Sequence, residues 1–371
     1  MLCLFTAQSP AHAALTVTVS DNGKNIGRYD IYEITMEHPD TYGNPWQDVT
    51  ISVAFTSGAR TFAVGGFYYD AGTWKARFAP METGNWTWQL TFSNGVDSYK
   101  AAGGFTCVAS NNLGFIRIHP TNPYRLITDA ENKPFHPIGI GGPAMTGTDS
   151  LFMDGLWGGK RISLQRYLNT LASGGINLFR FNSTKWGRAW IPRLDGKGRR
   201  VYDVAVGKVA DWSMQQFHDK GIQMMMVVLP GKPNTKSPAL DVDYFSYAIN
   251  RWGAYVSIWE LMNEVGFPGR PTTPEWYAAL CPFIRDHDPY SHPITVSYPD
   301  PNSIGRDSKG RDYLDITSPH LYLGYGPGVD QAVISTALRP RGGRRHPGVQ
   351  DHLSGQAHHL RRVRQHQQRG L

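Results

Sequence analysis

The residues of this chain best suited to chemistry sit at the ends of three strand-like runs. In Val256-Ser-Ile-Trp-Glu260-Leu-Met-Asn263-Glu264 two carboxylates lie four residues apart. A strand turns successive side chains to opposite faces, so Glu260, Met262 and Glu264 share a face, with Glu264 at the mouth and Glu260 about 13 Å deeper. In Asn177-Leu-Phe-Arg180-Phe-Asn182, Arg180 and Asn182 oppose Phe179 and Phe181. In Pro319-His320-Leu321-Tyr322, His320 and Tyr322 share a face. A carboxyl group at a strand end can exchange a proton with substrate. Glu260, so much deeper, reads as a buried structural carboxylate paired with Arg180. His320 has the alternative reading of a satisfied core histidine. Trp157, Trp186 and Trp190 fall in strand-to-helix loops, where an indole can stack on a sugar or simply pack the loop.

The elements that must position these residues alternate between strand and helix. Strands are expected at 136–140, 176–181, 222–229, 256–261, 294–298 and 316–322, with helices at 162–173, 204–220, 243–252 and 274–287. Repeated units of this kind give parallel strands with right-handed crossovers. No strand leads into a Gly-rich phosphate loop, which favours a barrel, where chemistry collects at the C-terminal strand ends. Residues 15–109 read differently. Runs at 15–19, 29–36, 49–55, 61–69, 73–78, 86–92 and 104–108 are rich in Val, Ile, Thr and aromatics, and Gly, Asn and Asp punctuate them. Seven short strands at regular spacing predict an immunoglobulin-like sandwich. Trp86 and Trp88 share one sheet face, as core or interdomain packing or as a sugar platform.

Together these motifs resemble a known group. Trp259-Glu-Leu-Met-Asn263-Glu264, with Arg180 two strands earlier and His320-x-Tyr322 two strands later, is similar to the clan of retaining (β/α)8-barrel glycoside hydrolases, family 5-like (cellulase-type) members in particular. The front domain resembles the immunoglobulin-like domain that often precedes such barrels, through Tyr32-Glu33, Asn44-Pro45, Gly66-Phe67-Tyr68-Tyr69, Gly72-Thr73-Trp74 and Gly84-Asn85-Trp86. The likeness covers roughly residues 16 to 330. It implies that Glu264 is the general acid/base, that Asn263 holds the sugar 2-hydroxyl, and that Arg180 orients a catalytic carboxylate. His320 and Tyr322 would supply donors at the cleaved subsite. The implied substrate is a polysaccharide or oligosaccharide, and no cofactor or metal is called for.

The resemblance also implies a nucleophilic Glu ending a seventh strand, yet no Glu follows Glu275, and only Asp330 and Asp351 lie beyond the sixth strand. After Ile334 no β-branched apolar run of the kind a buried parallel strand requires remains. The composition changes at the same place. Residues 337–371 hold eight Arg, five His, no Lys and one acid, which leaves 29 basic and 29 acidic residues in the body. The formal charge of +7 therefore belongs to that tail and not to a nucleic-acid-binding face. Arg without Lys, with Gly, Pro, His and Gln, is what GC-rich coding DNA yields out of frame. The expectation is an all-β immunoglobulin-like sandwich followed by a TIM-type barrel truncated after about six strands, inactive for want of its nucleophile. Bare edges on the first and sixth strands would invite aggregation. The alternative is a non-catalytic carbohydrate-binding protein.

The expected organisation is a signal-peptide remnant at 1–13, ending in Ala11-His12-Ala13, the sandwich at 15–109, a linker at 110–133, the partial barrel at 134–336 and a disordered tail at 337–371. Such a leader implies a secreted or periplasmic protein. No apolar run approaches the roughly 20 residues that span a bilayer. Cys3, Cys107 and Cys281 lie too far apart for zinc or redox spacing.

Overall fold

The computed structural model describes residues 15–130, 132–141, 150–152, 161–182, 193–229, 233–266, 271–304, 312–321, 333–334 and 337–338. The first nine strands are β1 (Thr18–Asp21), β2 (Asn25–Gly27), β3 (Tyr32–Glu37), β4 (Thr50–Ser57), β5 (Arg60–Gly65), β6 (Phe67–Asp70), β7 (Thr73–Phe78), β8 (Gly84–Ser93) and β9 (Ser98–Val108). They form a four-stranded sheet, β1-β3-β7-β6, and a five-stranded sheet, β2-β9-β8-β4-β5. Along β8 the period of two is plain: Trp86, Trp88, Leu90 and Phe92 are buried, while Thr87 and Gln89 are exposed. The two sheets share one core. Phe55 of β4 stacks on Phe78 of β7 with ring centroids 4.3 Å apart. Trp88 donates its indole N–H to the Tyr32 hydroxyl at 2.8 Å, which satisfies the polar end of each buried ring. Both Trp86 and Trp88 are therefore core residues.

The expected strand 61–69 is two strands in different sheets, β5 and β6. The chain crosses at Gly65-Gly66, where a Cβ on Gly66 would come within 2.6 Å of the Ile51 side chain. Apolar content runs on through this crossing, so sequence pattern alone does not mark it.

The stretch read as a linker carries structure of its own. β10 (Ile116–Ile118), β11 (Leu126–Thr128) and β12 (Pro134–Phe135) form a small antiparallel sheet. Then follow β13 (Gly139–Gly141), β14 (Ser150–Phe152), β15 (Arg161–Ser163), α1 (Leu164–Ser173), β16 (Leu178–Asn182), β17 (Arg193–Leu194), β18 (Arg200–Val201), α2 (Val204–Asp219) and β19 (Gln223–Leu229). The rest comprises α3 (Pro238–Trp252), β20 (Val256–Met262), α4 (Pro274–His287), β21 (Ile294–Tyr298), β22 (Ile316–Leu321), β23 (Val333–Ile334) and β24 (Ala337–Leu338). Two helix starts carry side-chain caps: Asp203 accepts the Val206 N–H at 3.0 Å, and Thr273, just before Pro274, accepts that of Trp276 at 3.2 Å.

Strands β13-β16-β19-β20-β21-β22 lie parallel in that order. β19, β20 and β21 are buried on almost every residue, because helices cover one face and the sheet's own curl covers the other. The curl is measurable. β16 and β21 stand three strands apart, about 14 Å in a flat sheet, yet Arg180 of β16 lies 3.5 Å from the Ser297 hydroxyl of β21. The result is a curled parallel half-barrel. At the end where its strands begin, Met225, Ile258 and Ile316 pack with Ile116, Leu126 and Phe135, so the β10–β12 sheet closes that end.

The edge of β22, expected to be bare, carries two short antiparallel partners. Val333–Ile334 pairs with Leu321 and His320, and Ala337–Leu338 with Thr317 and Ile316. An open edge presents unpaired N–H and C=O groups, and nearby chain satisfies them here without extending the parallel order.

Buried charge joins the two parts. Arg77 of β7 donates to Glu33 at 2.7 Å, to Asp211 of α2 at 3.0 Å and to the Arg251 carbonyl at 3.0 Å. Asp211 also accepts from Arg251, at 2.9 and 2.8 Å, and from the Trp252 indole at 2.9 Å. Burial alone would raise the Asp211 carboxyl, but the fields of Arg251 and Arg77 outweigh it and hold the group down to about 2.

Candidate active site at the end of the fourth parallel strand

Arg180 points into the half-barrel from β16. Its Nε donates to Glu260 Oε2 at 2.6 Å and a terminal nitrogen to Oε1 at 2.5 Å, a bidentate pair. The same terminal nitrogen reaches Asn263 Oδ1 at 2.8 Å. Glu260 is wholly buried, so this pairing offsets the cost of placing its charge there. Guanidinium has only donors, which fixes the oxygen end of the Asn263 amide toward Arg180. On the opposite face of β20, Trp259 donates to Asp288 at 3.1 Å and anchors the strand from outside. Burial would raise the Asp288 carboxyl, but the His292 ring and the N–H groups of His292 and Tyr290 keep it below the usual range.

β20 ends at Met262, and the chain then turns. Glu264 adopts a left-handed backbone, with φ of 54°. For a residue with a Cβ this costs roughly 1–2 kcal/mol, and such strain persists only where surroundings hold it. Its N–H donates to the Ser297 hydroxyl at 2.9 Å. The carboxylate direction is thus set by the turn and not by the strand alternation. Glu264 Oε1 lies 2.8 Å from His320 Nδ1 on β22, with side chains 17% and 6% exposed. An ionised carboxylate only accepts, so in that state Nδ1 carries the proton.

Arg180, Glu260, Asn263, Glu264 and His320 therefore gather in one cluster, reached from three strands. Tyr322, Trp157, Trp186, Trp190 and Asp330 lie outside the described residues. Sequence reading missed the hydroxyls. Thr295 and Ser297 alternate on the inward face of β21, and Thr295 lies 3.2 Å from Ser318 of β22. The available signal was two hydroxyl residues at a spacing of two within Ile294-Thr-Val-Ser-Tyr298. Among the described residues no three His, Cys, Asp or Glu side chains gather as a metal site, and no helix is long and apolar enough to cross a membrane.

Comparison with known proteins bears on this geometry. Residues 25–93 match a domain family described as a domain of unknown function, DUF5060. No curated protein matches the chain. The fold is similar to that of a candidate glycoside hydrolase from Bacteroides vulgatus ATCC 8482, with a TM-score of 0.59 and 20% identity over 75% of this chain and 57% of that one. A glycoside hydrolase family 5 structure from the same organism gives a TM-score of 0.40 at 18% identity, over 55% of this chain and 43% of that one. An endo-1,4-beta-mannanase from Rhizomucor miehei gives 0.41 at 15% identity, over 54% and 68%. The last two overlaps are too slight to add anything. This chain spans 57% of the length of the first of these proteins.

Proposed function

We propose that the protein is a glycoside hydrolase-type protein directed at O-glycosidic bonds of a polysaccharide or oligosaccharide, built as an immunoglobulin-like sandwich in front of a partial TIM-type barrel. The observation that carries this reading is Glu264, aimed from a strand end at His320 2.8 Å away and flanked by Asn263 on Arg180. Glu264 would protonate the leaving oxygen as the glycosidic bond breaks. Asn263 would hold the 2-hydroxyl, a hydrogen bond that strengthens in the transition state. Arg180 fixes Asn263 and stays charged throughout. Tyr322 would add a donor, and Trp157, Trp186 and Trp190 surfaces for sugar rings.

A retaining mechanism needs a second carboxylate about 5 Å from the first. Glu260 is committed to Arg180, and no Glu follows Glu275. We therefore expect this 371-residue polypeptide to bind glycan without turning it over. That absence also favours a second reading, a carbohydrate-binding protein that never cuts. Calorimetry with cello- and manno-oligosaccharides tests the shared part. Binding that weakens at least tenfold in Glu264→Ala supports the site, and no binding by either protein contradicts it.

We also propose export, from Ala11-His12-Ala13. The mature protein should then begin at Ala14, and N-terminal sequencing of secreted material that begins at Met1 would oppose it.

A further inference from the structure

We infer that Ser297 is a positioning residue that aims the Glu264 carboxylate at His320. The chain at 264–265 leaves β20 in a turn with no helix or strand of its own to hold it. Two groups of one residue on the neighbouring strand do so instead. The Ser297 hydroxyl accepts the Glu264 N–H at 2.9 Å, and the Ser297 carbonyl accepts the Val265 N–H at 2.9 Å. Successive N–H groups are thereby tied to a single point on β21. With φ of Glu264 at 54°, the side chain leaves the backbone in a direction that an extended residue would not give it, and that direction ends on His320 Nδ1.

The residue type matters at this position. Ser297 faces inward, in register with Ser318, and is buried. Its oxygen faces two donors, the Glu264 amide and, at 3.5 Å, an Arg180 nitrogen. A hydroxyl oxygen has two acceptor lone pairs and meets both, whereas Ala or Val would meet neither. Ser297 is also where the Arg180, Glu260 and Asn263 cluster touches the turn that bears Glu264. Calling the aimed carboxylate an acid/base rests on the function proposed above, whereas its being aimed by Ser297 does not.

The test reads the ring nitrogens of His320 by 15N NMR of the histidine-labelled full chain, at a pH where the ring is neutral. Wild type should show His320 mainly as the Nδ1–H tautomer, and Glu264→Ala should lose that signature. Ser297→Ala should lose it as well, while Ser297→Thr, which keeps the hydroxyl, should retain it. Ser297→Cys, nearly isosteric but a weak acceptor, should move the same way as Ala and covers the case in which Ala does not fold. A Ser297→Ala or Ser297→Cys protein with native circular dichroism and the wild-type tautomer would overturn the inference. If the signature is lost as expected but oligosaccharide binding is the same in wild type and Glu264→Ala, the functional reading fails and the positioning role stands.

Discussion

Arg180 and Glu260 meet inside the half-barrel through hydrogen bonds of 2.6 and 2.5 Å, and this pairing holds the buried Glu260 carboxylate in place. A wholly buried carboxylate depends on such a bidentate cation to offset its desolvation. Removing one partner leaves the other charge buried and unpaired, so Glu260→Ala should cost about 3–5 kcal/mol. Replacing both by Met should cost less than either single change. Urea denaturation of the two single variants and the double variant checks this, and additive losses would contradict it.

The Asp211 cluster predicts that the sandwich and half-barrel unfold together. Asp211 takes hydrogen bonds from Arg77 of the first part and from Arg251 and Trp252 of the second. Asp211→Ala should cost about 3–5 kcal/mol and split one denaturation transition into two. A single unshifted transition would contradict the prediction.

The same group sets an acid limit. Asp211 is lowered to about 2 in the fold from an ordinary 3.8. A depressed carboxylate contributes its stability fully above its unfolded value and loses it as pH falls through the folded one. The stability difference between wild type and Asp211→Asn should be constant from pH 7 to 5 and shrink between pH 4 and about 2.

His218 acts with the opposite sign. It sits where α2 meets the sandwich, with Nε2 3.1 Å from the Tyr29 carbonyl and 3.0 Å from Asn112 Nδ2, and with Asp219 and Asp30 at 3.8 and 4.0 Å. Burial would lower its pKa, but the nearby Asp219 carboxylate, the Tyr29 carbonyl and the Asp30 carboxylate raise it. A raised histidine stabilises fully below its unfolded value, near 6.5, and the gain disappears as pH rises through the folded value. His218→Gln should therefore be more destabilising at pH 5.5 than at pH 8.5, and the reverse order in thermal melts would refute the assignment.

Much of this was legible in the sequence where residue type and local geometry agree. The bounds of α4 follow from Thr273-Pro274, a cap and a first-turn proline, and those of β21 from the Ile-Thr-Val run. The gathering of Arg180, Asn263, Glu264 and His320 followed from their places at parallel strand ends. The crossing at Gly65-Gly66 was not legible, because the apolar pattern runs through it. Nor was the β10–β12 sheet, whose strands of two or three residues carry too little periodicity to register. The left-handed turn at Glu264 escaped because glutamate has no preference for it. A neighbouring strand imposes it through Ser297, and that contact spans 33 residues of sequence.

The most direct measurement is turnover of aryl glycosides by the 371-residue protein, read beside oligosaccharide binding. The account predicts no hydrolysis above background, with binding that Glu264→Ala weakens. Activated aryl leaving groups need little acid assistance, so their survival would point to the lack of a nucleophile, as proposed, and not to a defect at Glu264. Hydrolysis above background by the wild-type chain would contradict the account. It would mean that a second carboxylate, with Asp330 the first candidate, stands in the nucleophile's place.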